Sequence, residues 1–261
     1  MVRIEDVIKI IEEFAPLNLA AEYDNSGLKI GNVNAEIMGV IVTLDTNIDV
    51  VAEAVRKKCN LIIEHHPSIW KPLRALNVDI PLNRVLIECA KNDIVLYSAH
   101  TNVDFTEGGL NDFVAQKLGL KNIYAIDRQS ARVGITEKTD LRKFAKRVSE
   151  IFSDDNIITV GNLDKPIEKA AVINGAGGNE EEMWLTYNEG ADVFVTSEVK
   201  YNVTRLAKDL DYAIIQVGHY ESEAFFMQLI KNVIKNKLPD LPVFSAESIG
   251  SSYNRRGEIW N

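Results

Sequence analysis

Residues 60–67 read NLIIEHHP. Leu61, Ile62 and Ile63 form a short run of branched apolar residues, the pattern of a strand buried on both faces. The run stops at Glu64, His65 and His66, and Pro67 then closes the ladder because proline has no N–H to donate. Two adjacent imidazoles therefore stand where a buried strand emerges. In open α/β sheets, ligands bind just beyond the carboxyl ends of the strands. The chain holds four histidines. The other two, His100 and His219, also follow apolar runs, IVLYSAH and AIIQVGH. All the histidine is thus placed at three predicted strand ends.

Outward from this stretch the pattern alternates. Upstream, Ile4, Val7, Ile8, Ile11 and Phe14 recur at helical spacing. A turn follows at Asp24–Gly27, then the strand MGVIVTL (38–44). Asn47 or Asp49 caps a helix to Lys58, with Val50, Val51, Ala54 and Val55 inward. Downstream, a polar-aromatic loop (67–79) precedes a helix opened by Pro81, the strand IVLYS (94–98) and a helix over 109–118. The second half predicts a helix Asp140–Phe152 capped by Thr139, strands at 156–160 and 170–174, and the turn GAGG. Then come a helix from Asn179, the strand ADVFVTSE, a helix over 200–209, AIIQVGH, one long helix from Glu221 to Lys237, and a last strand over 241–246. This β-α order gives an α/β protein with mixed sheets flanked by helices.

The two halves read alike. MGVIVTLD, NLIIEHH and DIVLYSAHTNVD are matched by KAAVINGA, ADVFVTSE and YAIIQVGHYESE. His100 precedes Asp104 by four residues, and His219 precedes Glu223 by four. Two related, pseudo-duplicated lobes, residues 1–125 and 126–261, are the simplest account. With their strand ends facing each other, His65, His66, Asp104, His219 and Glu223 would share one cleft.

Three histidines and two carboxylates exceed the needs of one catalytic zinc, which takes three protein ligands and a water. They suit two divalent ions, zinc, iron, manganese or nickel, and hence hydrolysis of phosphate esters, amides or cyclic C–N bonds. Bland readings stand beside this. Asp104 also serves as a cap, and Glu223 as a first-turn helix acid. His100 is read as a group that supports the ligands from behind or shuttles protons, rather than as a ligand. NGAGGNEEE (174–182) is either a phosphate cradle or a tight strand-to-helix turn, and it lacks the Lys-Ser/Thr of a P-loop. Tyr23, Trp70 and Tyr220 flank the site, either stacking on a base or packing among themselves.

The chain has 261 residues, 46% hydrophobic and 26% charged, ample for a core. No run approaches the roughly 18 apolar residues of a membrane helix, and acids interrupt the N-terminal apolar pattern, so a cytoplasmic protein is expected. Cys59 and Cys89 match no common zinc spacing and read as buried hydrophobes. A net charge of −9 argues against a dominant non-specific nucleic-acid binder. Arg255–Arg256 and the Lys231–Lys237 stretch offer local basic surface.

The ordered set DNSGLKIG, EHHP, SAHTNVD, GAGG, TSE and GHYESE resembles the Nif-three-like family, whose members go by the name GTP cyclohydrolase I type 2 homologues. The resemblance runs from residue 5 to the C-terminus. It implies two α/β lobes, a dinuclear metal centre between them, a toroidal homohexamer, and ligands at His65, His66, Asp104, His219 and Glu223. It also implies water attack on the purine C8 of GTP, opening the ring and releasing formate. The chain departs from the family's pattern at Thr196–Glu198, TSE for TGE, and at Ser68, where a large apolar residue is usual. The alternative function is a non-enzymatic ring that binds DNA or another nucleic acid, or a scaffold. Salt separates the two, because phosphate-backbone binding collapses as salt rises.

Overall fold

A computed structural model describes residues 1–126 and 130–250; Arg255–Arg256 lie outside the described residues. Helix α1 (Ile4–Phe14) buries the predicted stripe Ile4, Val7, Ile8 and Ile11. Then come β1 (Gly27–Ile30), β2 (Val40–Thr43), α2 (Ile48–Arg56), β3 (Leu61–Glu64), α3 (Pro81–Lys91), β4 (Val95–Ser98) and the short α4 (Thr101–Phe105). Residues β2, β3 and β4 are buried throughout, which the apolar runs anticipated.

The chain continues through α5 (Leu110–Lys117), β5 (Lys121–Ile126), β6 (Ala131–Asp140), α6 (Leu141–Phe152), β7 (Ile158–Val160) and β8 (Pro166–Val172). It goes on to α7 (Glu180–Asn188), β9 (Val193–Thr196), α8 (Tyr201–Asp209), β10 (Ala213–Gln216), α9 (His219–Glu223), α10 (Phe225–Lys237) and β11 (Val243–Ser245). Two sheets result, ordered β1-β4-β3-β2-β11 and β5-β6-β8-β9-β10-β7. In the first, β11, β2, β3 and β4 run parallel and β1 is antiparallel. In the second, β8, β9 and β10 run parallel, with antiparallel neighbours on both sides.

The sequence division at 125/126 differs from the compact units of the fold. One unit comprises Met1–Thr106 and Phe226–Gly250, the other Glu107–Phe225. Hydrogen bonding explains the difference. Strand β5 pairs with β6 in the second sheet, and β11 returns to pair with β2 in the first.

In the first unit, Ile41, Ile62 and Leu96 pack with Val50, Val51 and Ala54 of α2 and Val85, Leu86 and Cys89 of α3. Cys59 belongs to the same cluster, and burial pushes the thiols up, to about 11 for Cys59 and about 12 for Cys89. In the second unit, Val133, Ala171, Phe194 and Ile214 pack with Met183, Val203 and Ala207. Among the described residues no helix is long and apolar enough to cross a membrane.

Local differences from the sequence reading have plain causes. Val55 is exposed, and Glu53 takes the inward position instead. Its carboxylate accepts from Lys57 Nζ, the Glu247 and Ser248 amides and the Ser248 hydroxyl, so a buried charge is fully met. Asp140, not Thr139, caps α6, accepting from the Lys143 amide. The long helix from Glu221 is two, α9 and α10.

Candidate metal centre

In the first unit the register of the parallel strands sets Thr43, Glu64 and Ser98 side by side at the carboxyl ends. Glu64 is wholly buried and accepts from the hydroxyls of Thr46, Ser68 and Ser98 and from the Ser68 amide. This fastens the strand end to the loop that follows it. Ser68 is therefore part of the framework. Burial pushes the Glu64 carboxyl up despite those donors. The ladder extends one step beyond β3: the His65 amide donates to Thr43 O and Leu44 O, and the His66 amide to Leu44 O. Both histidines are thereby placed by backbone bonds.

The rings of His65, His66 and His100 gather at this edge. Ring centroids are 5.1 Å apart for His65–His66, 5.0 Å for His65–His100 and 5.8 Å for His66–His100. One ligand nitrogen from each lies within 4.8 Å of the others, a group that can hold a metal ion. His65 is fully buried against Phe226, ring centroids 4.6 Å apart.

Each ring is held by its Nδ1. His65 Nδ1 lies 3.0 Å from Ala99 O, His66 Nδ1 2.9 Å from Asp45 Oδ1, and His100 Nδ1 2.9 Å from Asp24 Oδ1. A carbonyl oxygen only accepts, so the proton of neutral His65 sits on Nδ1 and Nε2 carries the lone pair. Carboxylates impose the same tautomer on His66 and His100. This is the usual support of a metal-ligating histidine. Asp104, on α4, places Oδ1 3.7 Å from His65 Nε2.

In the second unit His219 opens α9. Its Nδ1 lies 2.7 Å from Glu198 Oε1 and its Nε2 2.9 Å from Glu223 Oε2. Glu198 adopts a left-handed backbone (φ 54°) at the end of β9. The Gly218 amide before His219 donates to buried Asp154. The GAGG turn finds its use here. Gly175 has φ +64°, and a Cβ there would overlap Glu223 Oε1 and stand 2.9 Å from its Cδ. Its amide donates to Ser222 Oγ, 3.0 Å away. The turn is a seat for the Glu223 carboxylate.

The donor chemistry fits a divalent ion. Two donors on one ion, with bonds of about 2.1 Å, stand roughly 3.0–3.5 Å apart. The 2.9 Å of His219–Glu223 and the 3.7 Å of His65–Asp104 bracket that spacing.

Every predicted site residue therefore lies at a strand end or a short helix: His65, His66, Asp104 and His100 in the first unit, His219 and Glu223 in the second. Sequence reasoning missed the acids behind the rings, Asp24, Asp45 and Glu198. Asp24 was read only as a turn residue, and DNSG is its one local signal. Lys231 and Lys235 lie on α10, half-buried, and Lys235 Nζ donates to Pro239 O.

Comparison with known proteins shows the family and the fold. Several proteins called GTP cyclohydrolase 1 type 2 homolog are similar over most of their length. That of Clostridium acetobutylicum is 33% identical over 230 residues, 85% of each chain. That of Methanocaldococcus jannaschii is 31% identical over 245 residues, 93% of this chain and 98% of that one. Among solved structures, reduced HcgD from M. jannaschii superposes with a TM-score of 0.84 at 30% identity, covering 94% of this chain and 98% of that one. A Bacillus cereus protein related to NIF3 superposes with a TM-score of 0.91 at 23% identity, covering 98% and 99%, a likeness of fold. The profile of Duf34/NIF3 (NGG1p interacting factor 3) matches residues 2–254, and the chain belongs to that family.

Proposed function

We propose that the chain is a metal-dependent hydrolase of a nucleotide-like substrate, with two divalent ions held by His65, His66, Asp104, His219 and Glu223. The observation that carries this reading is the seating of the imidazoles, each held at Nδ1 by an oxygen acceptor. Such seating fixes the tautomer and raises the basicity of Nε2. The name shared by the relatives supports a purine nucleotide as substrate.

When bound, divalent ions polarise a substrate oxygen and acidify a water. The rest falls to this chain's own groups. Ala99 O, Asp45 and Glu198 keep the rings from turning. Gly175 leaves room for the Glu223 carboxylate. His100, set by Asp24, presents Nε2 as a proton relay beside His65 and His66. Opening of a purine ring at C8 with release of formate is the reaction this set serves, and assembly into a homohexamer belongs to the same proposal.

The test is metal per chain by elemental analysis on protein purified without chelator, followed by a formate assay with GTP. About two equivalents of zinc, iron, manganese or nickel with formate release support the reading. A chain that neither carries nor reloads metal would sink it. Asp104→Asn is expected to lower metal occupancy more than His100→Asn, and equal losses would mean that His100 is itself a ligand.

A further inference from the structure

Three consecutive residues of one turn reach three parts of the first unit's site. The Asp24 side chain is fully buried and holds His100 and Thr101. Asn25 reaches forward instead: its Nδ2 donates to Ile69 O, tying the turn to the loop that carries Trp70. Tyr23 lies beside Trp70, ring centroids 6.3 Å apart and tilted by 48°. Trp70 in turn meets the His100 ring edge to face, centroids 5.5 Å apart. Trp70 is 44% exposed and Tyr23 70%.

Tyr201 is as open as these rings, so exposure alone says little; what sets the pair apart is that two exposed rings lie together on tied-down chain and one of them meets His100. The pair is tilted rather than closed as a sandwich, and both rings keep exposed surface. Its inner edge is the imidazole next to the His65–His66 pair. The geometry points to a stacking subsite: Tyr23 and Trp70 bind the planar heteroaromatic ring of a nucleotide and hold it against His100. Stacking is tolerant of base identity, because every base has a π face. The subsite thus sets a preference for substrates that carry a flat ring over those that carry only sugar and phosphate. Asn25 is a positioning residue, acting through the Ile69 carbonyl. The inference depends on the hydrolase reading only in naming a nucleotide as substrate.

The experiment compares two probes that differ by the base alone, guanosine 5′-monophosphate and ribose 5-phosphate, binding to the full chain by calorimetry. The wild-type chain is expected to bind the nucleotide at least tenfold more tightly. Trp70→Ala and Tyr23→Ala should each weaken nucleotide binding by roughly five- to a hundredfold, the range for losing one stacked base, and leave ribose 5-phosphate unchanged. Trp70→Phe should recover most of the loss. Wild-type protein that shows no preference for the nucleotide, or fails to bind it, overturns the inference. So does a Trp70→Ala chain that binds it undiminished. Repeating the titration after chelation separates the two readings. Nucleotide binding that needs Trp70 without metal leaves the subsite standing even if no hydrolysis is found. Full hydrolysis of GTP, at wild-type KM, by Trp70→Ala leaves the hydrolase standing and removes the subsite.

Discussion

Asp24→Asn tests the site through one atom. The Asp24 carboxylate takes five donors. Oδ1 accepts from the Asn25 amide at 2.6 Å and from His100 Nδ1 at 2.9 Å. Oδ2 accepts from the Ser26 hydroxyl at 2.9 Å and from the Thr101 amide and hydroxyl. Burial works against the charge, but the His100 imidazole and the Thr101 and Ser26 hydroxyls outweigh it and hold the carboxyl well below the ordinary carboxylate range. Asparagine has one oxygen to replace two. If that oxygen stays with Thr101, the new NH2 faces the Asn25 amide and His100. Imidazole can answer by moving its proton to Nε2, but a backbone N–H cannot answer at all. One buried donor is then unmet, at about 1–3 kcal/mol, and the charge-assisted bonds weaken by about 1 kcal/mol more. A loss of roughly 2–4 kcal/mol is expected, read from the shift in denaturation midpoint at unchanged slope. The second readout is nitrogen chemical shifts of the imidazoles. His100 should pass from the Nδ1–H to the Nε2–H tautomer while His65, held by a carbonyl, does not. A variant within about 0.5 kcal/mol of wild type, with His100 still protonated at Nδ1, would refute the reasoning.

Gly175→Ala should cost about 1–2 kcal/mol for the left-handed backbone alone and displace Glu223; lowered melting temperature with lowered metal content is expected, and unchanged metal content would count against the seat. Glu198→Ala should weaken metal affinity by about ten- to a hundredfold, measured by competition with a chelator, while an unchanged affinity would show that His219 needs no support from Glu198. Burial opposes ionisation of Glu53, but its bonds from Lys57, Ser248 and the Glu247 amide outweigh that and hold it at about 2, below the usual 4.5. A depressed carboxyl adds stability above the unfolded value that is lost as pH falls through the folded one, so wild type should weaken between pH 4.5 and 2. Glu53→Gln should flatten that part of the stability profile, and an unaltered slope would refute the assignment.

What the sequence made legible follows from distance along the chain. Runs such as LIIE and VFVT are buried on both faces, so composition alone names them as strands. The histidines follow β3, β4 and β10, at the carboxyl ends where ligands bind in this class of sheet. Strands β1 and β6 were not legible. Gly27–Ile30 is a short edge strand reached by a turn, and β6 mixes charged with apolar residues because half of its length is open to solvent. The acids behind the rings were hidden for another reason. Asp24 stands 76 residues from His100, and Asp45 and Glu198 each 21 residues from their partners. No local spacing connects such pairs. Only the register of the strands does.

The internal repeat acquires a physical limit from the same contacts. In both units the third parallel strand, β4 or β10, gives way to a histidine at the start of a short helix, with an acid four residues on. One helical turn explains the second pair: at that spacing Glu223 and the His219 imidazole share a face. The support at Nδ1 is not repeated. Asp24 comes from the turn before an antiparallel edge strand, while Glu198 comes from the end of the neighbouring parallel strand. A strand-to-helix turn therefore repeats the spacing but not the pairing, since Glu223 lies against His219 and Asp104 against His65, and each unit finds its own carboxylate to lock the ring. Substitutions in the two supports should then act independently, Asp24 through His100 and Glu198 through His219. A double variant whose stability loss departs from the sum of the singles by more than about 0.5 kcal/mol would contradict that independence.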